Sequence, residues 1–176
     1  MTEIGQPRHY KIEMLTSAHD RRSFESENPK IDDYLKRMAL QRMKRHQART
    51  FVIIADDEPT AILGFYTLTM ATISFDESPP IYKAPPGKSV TAALLAQMAV
   101  AKTYSGKGFA RKMVMHCLHN CRQIDAVSGL LAITVDAADE NAKSLYLHLG
   151  FEVADERDPM RLHMPMDAVI KKLEMD

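Results

Sequence analysis

The sequence predicts an α/β (α+β) fold: one domain spanning residues 1–176, with a mixed sheet flanked by helices. Three observations carry this. Runs of strand character alternate with runs of helical periodicity, the pattern of a domain layered from sheet and helix. Two consecutive strand runs, 49–55 and 60–75, are separated only by the turn DDEP (56–59), which makes them a hairpin and excludes a doubly wound nucleotide fold. A chain of 176 residues is long enough for one full core and short for two.

The elements follow in order. YKIEML (10–15) alternates as a first strand. Residues 28–47 are helical, with Ile31, Leu35, Met38, Ala39 and Met43 near a 3.6-residue period, and Asn28 followed by Pro29 is the expected start. RTFVIIA (49–55) has the composition of a buried strand, and 60–75 reads as a long strand bulged near Gly64. Residues 76–89 hold four prolines and are expected to be a long functional loop. VTAALLAQMAVA (90–101) reads as a central strand. Residues 108–123 form an amphipathic helix with Phe109, Met113, Val114, Cys117 and Leu118 on one side. GLLAITVDA (129–137) is a buried strand, 139–151 a helix closing on Gly150, and MRLHMPM (160–166) a last strand. FEVADERD (151–158) reads as an acidic stretch.

Bulk properties narrow the setting. The formal net charge is zero, so overall charge points to neither nucleic acid nor membrane, although its distribution remains to be read. Two cysteines, Cys117 and Cys121, are too few for a disulfide scaffold and fit a reducing compartment. The first residues have no apolar core of signal-peptide length, and no run approaches the roughly 20 apolar residues of a membrane span. A complete, cytoplasmic protein is expected.

The most informative stretch is YSGKGFA (104–110), between an apolar strand and a helix. It matches neither common phosphate-loop pattern: no Ser or Thr follows GKG at the required place, and position 111 is Arg where a third glycine belongs. What is left is strand, glycine turn, helix start. Free N–H groups around 106–111 then converge, the helix dipole favours an anion, and Lys107, Arg111 and Lys112 add positive charge. Such a site suits a pyrophosphate; the same residues also fit a simple chain reversal.

The turn resembles the acyl-CoA loop of the GNAT N-acetyltransferase superfamily, Gln/Arg-x-x-Gly-x-Gly/Ala, here Ser105-Gly106-Lys107-Gly108-Phe109-Ala110. Ser105 replaces Gln or Arg, which removes one side-chain contact and leaves the backbone cradle. QMAVA (97–101) stands where that family has its pantetheine-binding strand, and ENAKSLYLHLGF (140–151) resembles its penultimate helix. Residues 24–68, with Phe24-Glu25-Ser26-Glu27 and Ala48-Arg49-Thr50-Phe51-Val52, resemble the toxin branch of the family. The resemblance implies a single GNAT-like domain with a mostly antiparallel central sheet. It implies acetyl-CoA as co-substrate, the α-amino group of aminoacyl-tRNA as acceptor, a ribbon-helix-helix antitoxin and a homodimer. The alternatives are an N-acetyltransferase of a protein or small-molecule amine with no toxin role, or a non-catalytic acyl-CoA-binding module.

Site residues follow. Backbone at Met98, Ala99 and Val100 can meet the thioester oxygen and pantetheine arm. Ser105 to Arg111 hold the pyrophosphate, and Asn141 and Ser144 can bond the cofactor's arm; Asn141 can equally cap its helix. Tyr146 is the candidate proton donor to the leaving thiolate, since a phenol of pKa about 10 is an acid rather than a base at pH 7. Tyr146 also fits an apolar stripe with Ala142, Leu145 and Leu149. No general base stands out, which favours an α-amine over lysine, although Asp76 and Glu77 in the long loop are possible bases. HCLHNC (116–121) invites a metal reading, but four ligands cannot converge from one straight turn and a half of helix, and no metal is expected. Lys36, Arg37, Arg42, Lys44, Arg45 and Arg49 run without an intervening acid and read as a phosphate-tracking surface for tRNA or as a solvated face.

Overall fold

The computed structural model describes residues 9–74, 82 and 89–175. In chain order they form β1 (Tyr10–Met14), α1 (Pro29–Asp33), a π-helical turn (Tyr34–Met38), α2 (Ala39–Lys44), β2 (Arg49–Ala55), β3 (Gly64–Ser74) and β4 (Ser89–Val100). A 3₁₀ turn (Lys102–Tyr104) follows, then α3 (Phe109–Ser128), β5 (Ala132–Asp136), α4 (Glu140–His148), β6 (Glu152–Asp155), β7 (Asp158–Pro165) and α5 (Met166–Met175). Hydrogen bonding orders the strands β1-β2-β3-β4-β5-β7-β6. The β4–β5 pair is parallel, while β1–β2, β2–β3, β5–β7 and β6–β7 are antiparallel. The sheet is therefore mixed and mostly antiparallel, with β4 central, as the sequence predicts.

The chain divides into two compact units. The first comprises Met1–Thr69 and Ala96–His116. Its spine is the expected hairpin, registered from Arg49↔Leu68 to Ile53↔Gly64, with β1 added alongside β2. Strand β2 is buried on both faces, which explains its unbroken apolar run. On one face Val52 and Ile54 join Leu15, Phe24, Leu35, Ala39 and Phe65 in a core against which Ile31, Tyr34, Leu40 and Met43 of the helical run pack. On the other, Ile53 meets α3: a Cβ built on Gly64 would lie 3.2 Å from Ile53 Cγ2, 3.0 Å from Met113 Cε and 3.0 Å from the Ala99 carbonyl oxygen. Gly64 is thus required for close approach, and β3 starts there rather than at residue 60.

The helical run begins as expected. The Asn28 side chain accepts from the N–H groups of Lys30 (3.1 Å) and Ile31 (3.4 Å), and Pro29 fills the first position. It is not a uniform α-helix, because Tyr34–Met38 widen into the π turn, where Arg21 Nη1 donates to the Lys36 carbonyl at 2.7 Å.

The second unit comprises Met70–Leu95 and Cys117–Asp176. β4 pairs with β5 only from Ala93↔Ile133 to Leu95↔Val135. β5 pairs with β7 along its whole length, and β6 closes a bulged hairpin with β7. Ile133, Val135, Leu162 and Met164 alternate onto one buried face. Helix α3 runs five residues further than predicted, to Ser128. Two elements go beyond the sequence prediction: β6 lies within the acidic stretch 151–158, and α5 begins at Met166, the residue with which the predicted last strand ends. The predicted loop at 76–89, with Asp76 and Glu77, lies outside the described residues except for Tyr82 and Ser89.

Candidate functional site

The glycine turn lies in the first unit, between β4 and α3. Ala101 leaves β4 with its N–H on the Leu63 carbonyl (2.8 Å). The 3₁₀ turn then bonds Tyr104 N–H to Ala101 O (2.8 Å), Ser105 N–H to Lys102 O (3.2 Å) and Lys107 N–H to Tyr104 O (3.3 Å). Gly106 and Gly108 take φ of +73° and +81°, a conformation L-residues rarely adopt. Helix α3 then starts at Phe109, 1% exposed, whose ring is edge-on to Tyr10 and Tyr104. Among the described residues, the backbone N–H groups of Gly106, Gly108, Phe109 and Ala110 have no hydrogen-bond partner. Unpaired donors at the start of a twenty-residue helix form the environment a pyrophosphate needs. Lys107 Nζ lies 5.3 Å from the Tyr104 ring centre, and Lys112 Nζ lies 4.2 Å from that of Tyr10 and bonds its hydroxyl. Ser105 and Arg111 are exposed beside this cluster. The part played by Tyr10, nearly a hundred residues from the helix it touches, left no local signal in the sequence.

The strand leading into the turn has the polarity the pantetheine reading needs. Because Ala101 donates to β3's side, alternation along β4 turns the polar groups of Ala99 the same way, in keeping with the position of its carbonyl beside Gly64. The N–H and C=O groups of Met98 and Val100 therefore point away from β3. Of the three residues predicted, these two can offer backbone bonds to an acyl-pantetheine arm, and Ala99 supplies the spacing between them.

In the second unit, α4 presents the predicted tyrosine. Asp139 caps the helix by accepting from Ala142 N–H at 2.8 Å, so Asn141 is released from that duty. Asn141 and Ser144 are exposed. Tyr146 is 5% exposed, and its ring packs edge-on against Phe151. Among the described residues its hydroxyl has no hydrogen-bond partner. Burial, with smaller contributions from Cys117 and Asp139, raises its pKa above the ordinary phenol value, so the proton stays on. Tyr146 thus belongs to the apolar stripe through its ring and leaves it through its oxygen.

The basic run divides by contact. Arg49 is on β2 and donates to the carbonyls of Met43 (3.3 Å) and Ala48 (3.0 Å), so it closes the helical run rather than projecting from it. Arg37 pairs with Asp33 at 2.7 Å, and Arg42 lies over the Tyr34 ring. Lys44 and Arg45 are exposed, Lys36 partly so, and none of the three side chains has an acidic partner among the described residues. The same core that seats this run includes Ala101 at the head of the glycine turn, with Tyr104 packed against it.

The HCLHNC segment is packed. His116 Nδ1 bonds the Tyr66 hydroxyl at 2.7 Å, and Cys117 and Cys121 are buried against each other, which with burial pushes the Cys117 thiol up. No group of three or more His, Cys, Asp or Glu placed to hold a metal occurs among the described residues. No described helix is long and apolar enough to cross a membrane.

The acetyltransferase (GNAT) family model matches residues 12–151. The tRNA-acetylating toxin of Mycobacterium tuberculosis is 30% identical over 152 residues, 86% of this chain and 89% of the toxin. Among solved structures, AtaT complexed with acetyl-methionyl-tRNAfMet matches with a TM-score of 0.84 at 20% identity, over 93% of this chain and 98% of that one. A tyrosine-to-phenylalanine mutant of AtaT, bound to the C-terminus of the antitoxin AtaR and acetyl-CoA, matches at 0.78 and 19% identity, over 91% and 95%. At these identities the structural likeness establishes the fold.

Proposed function

The chain belongs to the acetyltransferase (GNAT) family, and on that premise we propose that it transfers the acetyl group of acetyl-CoA to the α-amino group of aminoacyl-tRNA. The observation that carries the acceptor assignment is the pairing, on one core, of a glycine turn and a basic helical run: among the described residues the N–H groups of Gly106, Gly108, Phe109 and Ala110 have no partner, and Lys36, Lys44 and Arg45 have no acidic partner. The first holds the cofactor's phosphates and the second tracks those of RNA. The likeness to a tRNA-acetylating toxin supports the same acceptor, and the likeness to AtaT bound to its antitoxin supports a comparable protein partner.

Acid–base chemistry favours an α-amine as well. A lysine amine, pKa about 10.4, is neutral about 300-fold less often at pH 7 than an α-amine near 7.7–8.0, a handicap of about 3.4 kcal/mol. In the proposed reaction the neutral amine attacks the thioester carbonyl, backbone N–H groups at Met98 or Val100 hold the oxyanion, and Tyr146 protonates the departing sulfur.

Salt tests the acceptor. Contacts from about three to five of the helical run's cations Lys36, Arg37, Arg42, Lys44 and Arg45 predict a log–log salt slope of roughly −2 to −4 for binding of tRNA. Reversing Lys44 and Arg45 to Glu weakens tRNA binding and flattens the slope while leaving acetyl-CoA affinity unchanged. Activity on aminoacyl-tRNA that is indifferent to salt and to the reversal contradicts the tRNA reading and leaves a small-amine or protein acetyltransferase.

A further inference from the structure

In the first turn of α3 one lysine is held in an unusual way. Lys112 is half-buried, and its Nζ lies 4.2 Å from the Tyr10 ring centre and donates to the Tyr10 hydroxyl. Ring face and phenol oxygen both hold the ammonium, so a side chain that is ordinarily mobile is confined to one place. Tyr10 is itself fixed, because its ring stands edge-on to Phe109, a residue 1% exposed, with the ring centres 5.6 Å apart.

Among the described residues no carboxylate neutralises this charge. The strand that supplies Tyr10 carries one acid, Glu13, but side chains alternate along a strand. Tyr10, Ile12 and Met14 share the face that meets α3, whereas Glu13 lies on the opposite face and pairs with Lys11 at 2.8 Å. An ammonium has three donors, and the Tyr10 hydroxyl takes one of Lys112's. A half-buried cation with donors to spare and no counter-ion is placed to receive an anion.

The order of the cofactor's parts says which anion. Acetyl-CoA runs from acyl-pantetheine through pyrophosphate to a 3′-phosphorylated adenosine. On the reading above, β4 at Met98 and Val100 takes the first part and the N–H groups at 106–110 take the second. β1 is an edge of the sheet, separated from β4 by β2 and β3, and Lys112 is held at that edge. A cofactor laid from β4 across the turn brings its last phosphate to the Tyr10 side. That phosphate is a monoester with about two negative charges at pH 7, and it gains most from a fixed ammonium. Resting on that placement of the cofactor, we propose that Tyr10 is a positioning residue: it holds the Lys112 ammonium as partner of the cofactor's 3′-phosphate, so that β1 takes part in distinguishing acetyl-CoA from its 3′-dephospho form.

Calorimetry with acetyl-CoA and 3′-dephospho-acetyl-CoA, side by side, tests this. Wild type prefers acetyl-CoA about tenfold, the low end for a hydrogen bond to a charged group. Lys112→Gln lowers acetyl-CoA affinity by that factor and leaves the dephospho form where it was. Tyr10→Leu, at a position 37% exposed, removes most of the preference. Tyr10→Phe, which keeps the ring and loses the hydroxyl, retains part of it. Adding Tyr10→Leu to Lys112→Gln changes the preference no further, because Tyr10 acts through Lys112. A packing role would lower both affinities together and leave their ratio unmoved. If Tyr10→Leu does not fold, Lys112→Gln and Tyr10→Phe decide. No preference in wild type, or a preference that survives Lys112→Gln, overturns the inference. Equal losses for both ligands in Lys112→Gln overturn it as well, since they assign the lysine to the pyrophosphate. Gly108→Val separates this failure from a wider one: if it too leaves acetyl-CoA affinity unchanged, the phosphate reading of the turn has failed with it.

Discussion

Tyr146→Phe lowers turnover by about 10²–10³, the usual scale for losing a general acid, and leaves fold and acetyl-CoA affinity nearly intact. The separation is expected because only the oxygen is removed. The ring keeps its edge contact with Phe151, and the hydroxyl gives up no hydrogen bond among the described residues. Stability therefore changes by less than about 1 kcal/mol, the typical net worth of one hydrogen bond. The direction of the pKa shift adds a second signature. A phenol whose pKa burial has raised does not ionise below the ordinary value of about 10, so the wild-type profile shows no loss of acid function up to that pH. Stopped-flow measurement of thiol release under conditions where chemistry limits the rate checks both. Wild-type turnover in the variant would make Tyr146 a packing residue and leave protonation to water.

Gly108→Val weakens acetyl-CoA binding at least tenfold. Its φ of +81° charges an L-residue about 1–2 kcal/mol, and a β-branched one more. No heavy atom lies within 4 Å of a Cβ built there, so the side chain meets no protein neighbour and the variant folds. What the side chain fills instead is the open space beside four N–H groups that have no partner among the described residues, where the pyrophosphate is proposed to sit. Calorimetry on the folded variant reads the effect; unchanged affinity would remove the phosphate site from this turn.

Legibility in the sequence followed the range of the interactions. The β2–β3 hairpin, the caps at Asn28 and Gly150 and the glycine turn are set within a few residues, and all could be read. Helix α5 was also readable: Met166, Val169, Ile170 and Leu173 keep a helical period that the alternation of MRLHMPM masked at its first residue. Strand β6 was not readable, because Glu152–Asp155 owe their conformation to the partner β7 rather than to their own composition. The same holds for the sites. Tyr146 and the glycine turn carry local motifs, whereas Tyr10 beside Lys112 joins residues about a hundred positions apart. Arg49 is the converse case: charge groups it with the basic run, and only the fold shows its guanidinium donating to two carbonyls.

The central claim is that the amine acceptor is the α-amino group of charged tRNA. Its most direct test is to incubate the purified protein with acetyl-CoA and total aminoacylated tRNA, digest with nuclease, and identify the terminal nucleosides by mass spectrometry. N-acetylated aminoacyl-adenosine that depends on both acetyl-CoA and Tyr146 is the predicted result. Unmodified aminoacyl-adenosine, with acetylation of a lysine peptide or polyamine supplied in the same reaction, would contradict it.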